Sequence, residues 1–198
     1  MEDKRTRILE TAIELAEQGG FDAVQMRDVA AQADVALGTL YKRFRSKEDL
    51  LVAALELEAE KLDKRMASRP AQGATQTERV LDFFEITTRS LFRKPNLARA
   101  VLRALTSGDE QLTANVAAFH ERITNLIIAA LRGQGTLKAD DPAPRTPEQL
   151  VAFFLQQVWF SSLVGWMGGL HPKGMVVEQV RMALILLLRG IDTEKDGI

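Results

Sequence analysis

Apolar residues recur along this chain at three- and four-residue spacing for nearly its whole length. Ile8, Leu9, Ala12, Ile13, Leu15 and Ala16 mark one face of an amphipathic helix over residues 4–18. Gly19-Gly20 then supplies a C-terminal stop. Two shorter stripes follow. Val29, Ala30 and Ala33 predict one brief helix, and Val35, Leu40 and Phe44 predict another after a tight turn. Ser46 with Asp49 three residues on is a capping-box pattern. It opens a helix reaching about Met66, with Leu50, Leu51, Ala54, Leu55 and Leu62 as its apolar positions. After a break holding Pro70 and Gly73, helical patterns run over 76–93, 95–106, 109–132, 147–168 and 174–189. Pro95 and Pro147 sit where first-turn prolines belong. Residues 133–147 are the one long loop-like stretch, and no segment alternates as a strand would. The pattern predicts an all-α fold of about nine helices.

The last two helices are apolar nearly all round, which requires burial on nearly every side. One chain of this size rarely encloses two such helices at its own end. Pairing with the same helices of a second copy would bury them, so a homodimer through 147–168 and 174–189 is expected. Gly165 and Gly169, four apart, would allow close helix approach, or would simply fray before His171-Pro172. No uninterrupted apolar run reaches the ~18 residues of a membrane span. The opening Met-Glu-Asp-Lys-Arg-Thr-Arg leads into an amphipathic helix rather than a signal peptide. The expectation is a cytoplasmic protein with no membrane partner.

Composition narrows the chemistry. The 198 residues allow one large domain or two modest ones, and 46% apolar content is ample for a core. The absence of cysteine removes disulfides, thiolate metal sites and a Cys nucleophile. His120 and His171 have no second ligand at metal-binding spacing. Asp140-Asp141 lies in a Pro-rich loop, where solvation is the ordinary state. Serines occur without a Gly-x-Ser-x-Gly turn, and no Gly-rich loop could cradle a phosphate. The residues predict no enzyme, no metal and no cofactor. Net charge is −1, and acids slightly outnumber bases in the first 50 residues. Any nucleic-acid reading therefore rests on where the cations lie, not on how many there are.

Their placement is informative. Residues 36–47 hold Lys42, Arg43, Arg45 and Lys47 and no acid. A short helix opened by Ala36-Leu37-Gly38-Thr39 presents small side chains to a groove and cations to the phosphates. Gly38 would let backbone approach a base edge, and Ala36 and Leu37 could meet thymine methyls. Thr39 and Tyr41 offer hydroxyls, and Lys42 and Lys47 offer charge, to phosphates. Arg27, at the start of the preceding helix, is a further phosphate candidate. The competing reading is a solvated surface helix with a packed tyrosine. Lys4, Arg5 and Arg7 could reach DNA as a basic arm, or be a solvated helix start.

Phe21, Arg27-Asp28-Val29-Ala30, Ala33, Val35, Gly38-Thr39-Leu40-Tyr41, Phe44, Ser46-Lys47 and Leu50 together resemble the DNA-binding domain of the TetR family of bacterial transcriptional regulators. The resemblance implies a helix-turn-helix DNA-binding domain over 1–50. It implies a larger helical domain for ligand binding and dimerisation over 51–198. Gln25, Asp34 and Ala36 depart from the family, which usually has Thr or Ser, Gly, and Ser there. Ala cannot cap a helix and Gln caps poorly, so side-chain caps are not expected on the second and third helices. The string Val24-Gln25-Met26-Arg27, followed by Ala33-Asp34-Val35-Ala36-Leu37-Gly38-Thr39-Leu40-Tyr41, is similar to the subgroup that contains the actinobacterial steroid-catabolism repressor. That similarity implies a steroid-derived effector or a coenzyme A thioester.

The part beyond residue 50 holds seven of the nine Phe and both Trp. Phe83, Phe119, Phe154 and Trp159 are candidates for lining an apolar effector cavity, with Thr87 as a polar group to orient the effector. The alternative is that these aromatics fill an ordinary core. The function expected is a homodimeric repressor released from a palindromic double-stranded operator by a small apolar effector. Two alternatives remain at this point: a constitutive regulator or activator, and an all-α ligand-binding protein or enzyme.

Overall fold

A computed structural model describes residues 3–195. Among the described residues there are nine α-helices and no strand. They are α1 (Lys4–Ala23), α2 (Met26–Gln32), α3 (Leu37–Arg43), α4 (Lys47–Ser68), α5 (Gln76–Phe92), α6 (Pro95–Leu105), α7 (Thr113–Arg132), α8 (Thr146–Met167) and α9 (Gly174–Lys195). The stripes predicted this order. Gly19 and Gly20 interrupt α1 as the sequence implied, with Gly20 in the left-handed region at φ 70°. The helix then resumes for a last turn through Phe21. The single helix expected over 109–132 begins instead with a 3-10 turn, Glu110–Leu112.

The chain divides into two compact units, Met1–Lys61 with Leu91–Phe119 and Leu62–Ser90 with His120–Ile198. The first is built on the buried face of α1. Ile8, Leu9, Ala12 and Ala16 pack in one cluster with Val29, Leu40, Phe44, Leu50, Leu51 and Ala54. Leu97, Val101 and Ala104 of α6 join the same cluster. α6 has no side-chain cap of its own. Glu17 replaces it: its carboxylate accepts from Leu97 N at 3.3 Å, and its carbonyl accepts from Asn96 Nδ2 at 2.9 Å. In packing terms α6 therefore belongs with the helix-turn-helix, although it lies far beyond residue 50.

The second unit buries Phe83, Phe84, Ile123, Ile127, Leu155 and Trp159. The end of α7 is capped from a distance. Arg79 donates from Nε to Ala130 O at 3.0 Å and from Nη2 to Leu131 O at 2.9 Å. The loop that follows is tied down by Arg132, paired with Glu148 at 2.7 Å and donating to Pro142 O at 2.8 Å. Gly135 is required there: a Cβ would lie 2.2 Å from Met66 O.

α8 departs from one expectation. Over an 18-residue window its mean hydropathy is 1.4, so by length and composition alone it could cross a membrane. Counting uninterrupted apolar residues missed this because Gln156-Gln157 and Ser161-Ser162 break the run without lowering the average much. One member of each polar pair faces inward and the other faces solvent. Gln156 and Ser162 are buried, with Ser162 Oγ bonded to Gln179 of α9. Beside the exposed Gln149, Gln157 and Ser161, α8 exposes three large apolar side chains: Leu150, Phe153 and Phe154. α9 likewise exposes Met182, Ile185 and Leu186, the last at 69%. Gly169, at φ 76°, ends α8 as a left-handed cap residue. Gly165 makes room for His171, whose Nε2 would lie 2.6 Å from a Cβ there.

Candidate nucleic-acid interface

The helix-turn-helix is assembled by burial of few residues. Val29 and Ala30 of α2 and Leu40 of α3 are buried, and Phe44 seals the end of α3. Neither helix has a side-chain cap. Gln25 turns its amide back to Asp22 O at 2.8 Å. Ala36 contributes only its carbonyl, which accepts from Thr39 N and Leu40 N. The missing caps foreseen from Gln25 and Ala36 are thus real. α4, in contrast, is well capped. Ser46 Oγ accepts from Asp49 N at 3.1 Å, and Asp49 Oδ2 accepts from Arg45 N at 3.0 Å.

The turn between α2 and α3 carries Asp34 at φ 49°, the left-handed region. Arg7 braces it, donating from Nε to Ala33 O at 2.7 Å and from Nη2 to Asp34 O at 3.3 Å. Arg7 is therefore spent on the turn, and Arg5 pairs with Glu56 at 3.8 Å. Of the three cations offered as an arm, these two serve the fold.

The eight residues expected at a DNA surface fall as follows. Arg27, Ala36, Gly38, Thr39, Tyr41 and Lys42 are exposed, and Leu37 and Lys47 are half-buried. Leu37 packs partly against the core, so only part of its side chain is free for a base. Tyr41 is 49% exposed, so it does not pack as the competing reading required. Gly38 has helical backbone, and an added Cβ would meet nothing within 4 Å. Nothing inside the protein calls for a glycine at that position.

Arg27, Tyr41 and Lys47 line one pocket of about 550 Å³, with Val24, Gln25, Met26, Asp28, Arg45 and Ser46. Three cations and one acid face this space, which favours an anion. Arg45 is the lining cation that the sequence reading left off its site. It adjoins the Ser46 cap and pairs with Asp49 at 3.8 Å. Its place between α3 and the cap was the available signal.

The candidates for an effector cavity separate. Phe83, Thr87 and Trp159 are buried in the second unit. Phe84 links the two rings: it lies 5.2 Å from Phe83 and 5.8 Å from Trp159, centroid to centroid. Thr87 donates its hydroxyl to Phe83 O at 2.8 Å, so toward a ligand it is an acceptor only. Phe119 is buried but belongs to the first unit. Phe154 is 47% exposed on α8 beside Phe153, so it does not line an enclosed space in the protomer. A helix apolar on several faces gives no means of telling an inner ring from an outer one.

Sequence reasoning missed a polar group in this unit. Gln156 receives Thr124 Oγ1 at 2.8 Å and lies 2.7 Å from His120 Nδ1. Burial lowers the pKa of His120 below its ordinary value, against the opposing hydrogen bond from Gln156. Thr88 accepts from Trp159 Nε1 at 2.9 Å. These residues lie on three helices and share no local motif.

Comparison with known proteins bears on the whole chain. The model of bacterial regulatory proteins of the tetR family matches residues 8–54. The model described as tetracyclin repressor-like, C-terminal domain, matches residues 73–187. The HTH-type transcriptional repressor KstR of Rhodococcus jostii is 36% identical over 94% of this chain and 83% of its own. Its namesake in Mycobacterium tuberculosis is 31% identical over 96% of this chain and 83% of its own. A crystal structure of a TetR transcriptional regulator from Rhodococcus sp. RHA1 superposes with a TM-score of 0.79 at 28% identity, covering 93% of this chain and 94% of that one.

Proposed function

The chain belongs to the tetR family of bacterial regulatory proteins, DNA-binding regulators that are not enzymes, and from that premise we propose a homodimeric, effector-responsive repressor. The observation that carries the DNA-binding surface is Gly38. A helix glycine with open space beside it sacrifices helix stability for no internal gain. Close approach by an outside partner accounts for it. Around it Ala36, Leu37 and Thr39 would meet the major groove. Arg27, Tyr41, Lys42 and Lys47 would meet phosphates, with Arg45 added by the pocket it shares with Arg27, Tyr41 and Lys47. Two copies of α3 would enter successive major grooves of a palindromic operator, ~35 Å apart.

The exposed apolar rows on α8 and α9 support pairing with a second copy. The effector proposed is apolar and of steroid or acyl-coenzyme A type, held in the second unit with Phe83, Thr87 and Trp159 among its neighbours. It releases DNA only by its preference for one of two conformers. The working location is the cytoplasm.

The test has two parts. Duplexes selected by the protein from a random-sequence pool are titrated at several salt concentrations. Affinity falling steeply with salt, and recovered sequences sharing a palindrome, are expected. Steroid and fatty-acyl coenzyme A thioesters are then screened for a rise in melting temperature, and each hit is titrated against the duplex. An effector that binds must weaken DNA by the same factor by which DNA weakens it. A hit that stabilises the protein without changing DNA affinity refutes effector control and leaves a constitutive regulator.

A further inference from the structure

Resting on the DNA-binding reading above, we infer that Phe21 is a positioning residue for Lys47, and that Arg103 of α6 holds that ring in place. The final turn of α1, beyond the Gly20 break, carries Phe21 and Asp22. The Phe21 ring packs partly against the core of the first unit. The Lys47 ammonium lies 4.0 Å from the ring centroid and 3.5 Å from Phe21 O. The Arg103 guanidinium lies 4.2 Å from the same centroid. Arg103 is fixed by Asp22, with Nη1 at 3.3 Å and 3.5 Å from the two carboxylate oxygens. One ring thus serves two cations, and its neighbouring carboxylate balances only the one on α6.

The choice of an aromatic ring matters chemically. A carboxylate beside Lys47 would fix the ammonium and also cancel its charge toward a phosphate. A ring face attracts the cation and leaves its charge intact. The ammonium has three donors, and Phe21 O takes one weakly. Lysine is a flexible stem that must be immobilised to hold a phosphate, and the ring does this before DNA arrives. Lys47 is held where it lines the cationic pocket with Arg27, Tyr41 and Arg45. Phe21 does not line that pocket, so it acts through Lys47. α6 is locked to α1 at its start by Glu17 and at its end by Asp22 and Phe21. The Lys47 contact therefore depends on α6 staying seated.

The experiment is a double-mutant cycle on the intact protein, using a duplex that the wild type selects from a random-sequence pool. Phe21→Leu keeps apolar packing and removes the ring. It is expected to weaken binding by about two- to fivefold, the worth of one exposed cation–ring contact. The same change in a Lys47→Ala background is expected to have no further effect. Phe21→Tyr, which keeps the ring, should bind as the wild type does. Arg103→Ala should weaken binding by a smaller factor, again only when Lys47 is present. A general loosening of the helix-turn-helix would weaken both backgrounds equally, and that result overturns the inference. So does wild-type affinity in Phe21→Leu. If Phe21→Leu fails to fold, Arg103→Ala decides, since Arg103 is a largely exposed side chain. A wild type that selects no duplex refutes the proposed function itself and the inference with it. Selection with additive substitutions refutes the inference alone.

Discussion

Replacing Gly38 with Ala should make the protein more stable and a worse DNA binder, and these two effects come from the same methyl group. Gly38 is the second residue of α3, and its backbone is helical. The new Cβ would meet no heavy atom within 4 Å, so no internal clash opposes it. Ala exceeds Gly by ~1 kcal/mol in a helix interior, and about half of that applies in the first turn of so short a helix. For a chain of this size, ~0.5 kcal/mol raises the melting temperature by about 1–2 °C. At a surface where backbone packs closely on DNA, the same methyl must be accommodated by displacement. An overpacked contact costs ~1–3 kcal/mol, or about 5- to 150-fold in Kd. Calorimetry and duplex titration on one preparation measure both. Undiminished affinity would refute the claim that α3 docks by this face. A lowered melting temperature would refute the claim that nothing inside the protein needs the glycine.

Three further outcomes are expected. Phe154→Asp or Leu186→Glu should leave the helix content intact, since both positions are exposed in the protomer. If they face a partner they bury an unpaired charge at a cost of several kcal/mol. Sedimentation should then show a dimer for the wild type and a monomer for either variant at micromolar concentration. A wild-type monomer at that concentration would remove the dimer from the proposal. Stability should fall with acid in two stages. His120 is depressed by burial in the folded chain, so the unfolded chain holds more protons below pH ~6.5, and stability declines as the pH drops from there. The Glu148 carboxyl is held below its ordinary value of 4.5 by Arg132, so its contribution is present above that pH and is lost on further acidification. Melting curves of His120→Gln should lose the first stage and keep the second; a first stage that survives assigns it elsewhere. Asp34→Gly should relieve a left-handed residue worth ~1 kcal/mol, less what glycine adds to unfolded-chain entropy. A net rise in melting temperature with unchanged duplex affinity is the expected result. A fall would mean that the Asp34 side chain itself holds the turn.

Periodicity located the helices well because each stripe faces a core, and a three- to four-residue recurrence is the direct imprint of that. It could not say which apolar face meets the protomer's own core and which the protomer leaves exposed. Phe154 and Trp159 sit five residues apart on one apolar helix, yet one is half-exposed and the other buried. The residues proposed to face DNA were legible as a group because short-range motif spacing carries them. Their supports were not. Arg7 reaches a turn 26 residues away, Lys47 rests on a ring 26 residues back, and Arg103 lies 82 residues beyond Phe21. Such contacts leave no local trace, because a long cationic side chain fits many neighbours until the fold brings one near. The His120, Thr124 and Gln156 set is of the same kind, with only its polarity visible inside apolar helices.

If the exposed rows of α8 and α9 pair two copies as proposed, they have a genetic consequence. They are distant in sequence from α3, so an allele damaged in α3 can keep its pairing face whole. Such a chain would enter dimers with intact chains made in the same cell. With equal amounts of each, about half of all dimers are mixed and only about a quarter wholly intact, if the face pairs without discrimination. A palindromic site needs two working copies of α3, so the damaged allele would act as a dominant one. Damage to α8 or α9 removes the pairing face along with the function, so those alleles would be recessive. The ratio of dominant to recessive loss-of-function alleles, mapped along the chain, would therefore change between α3 and α8.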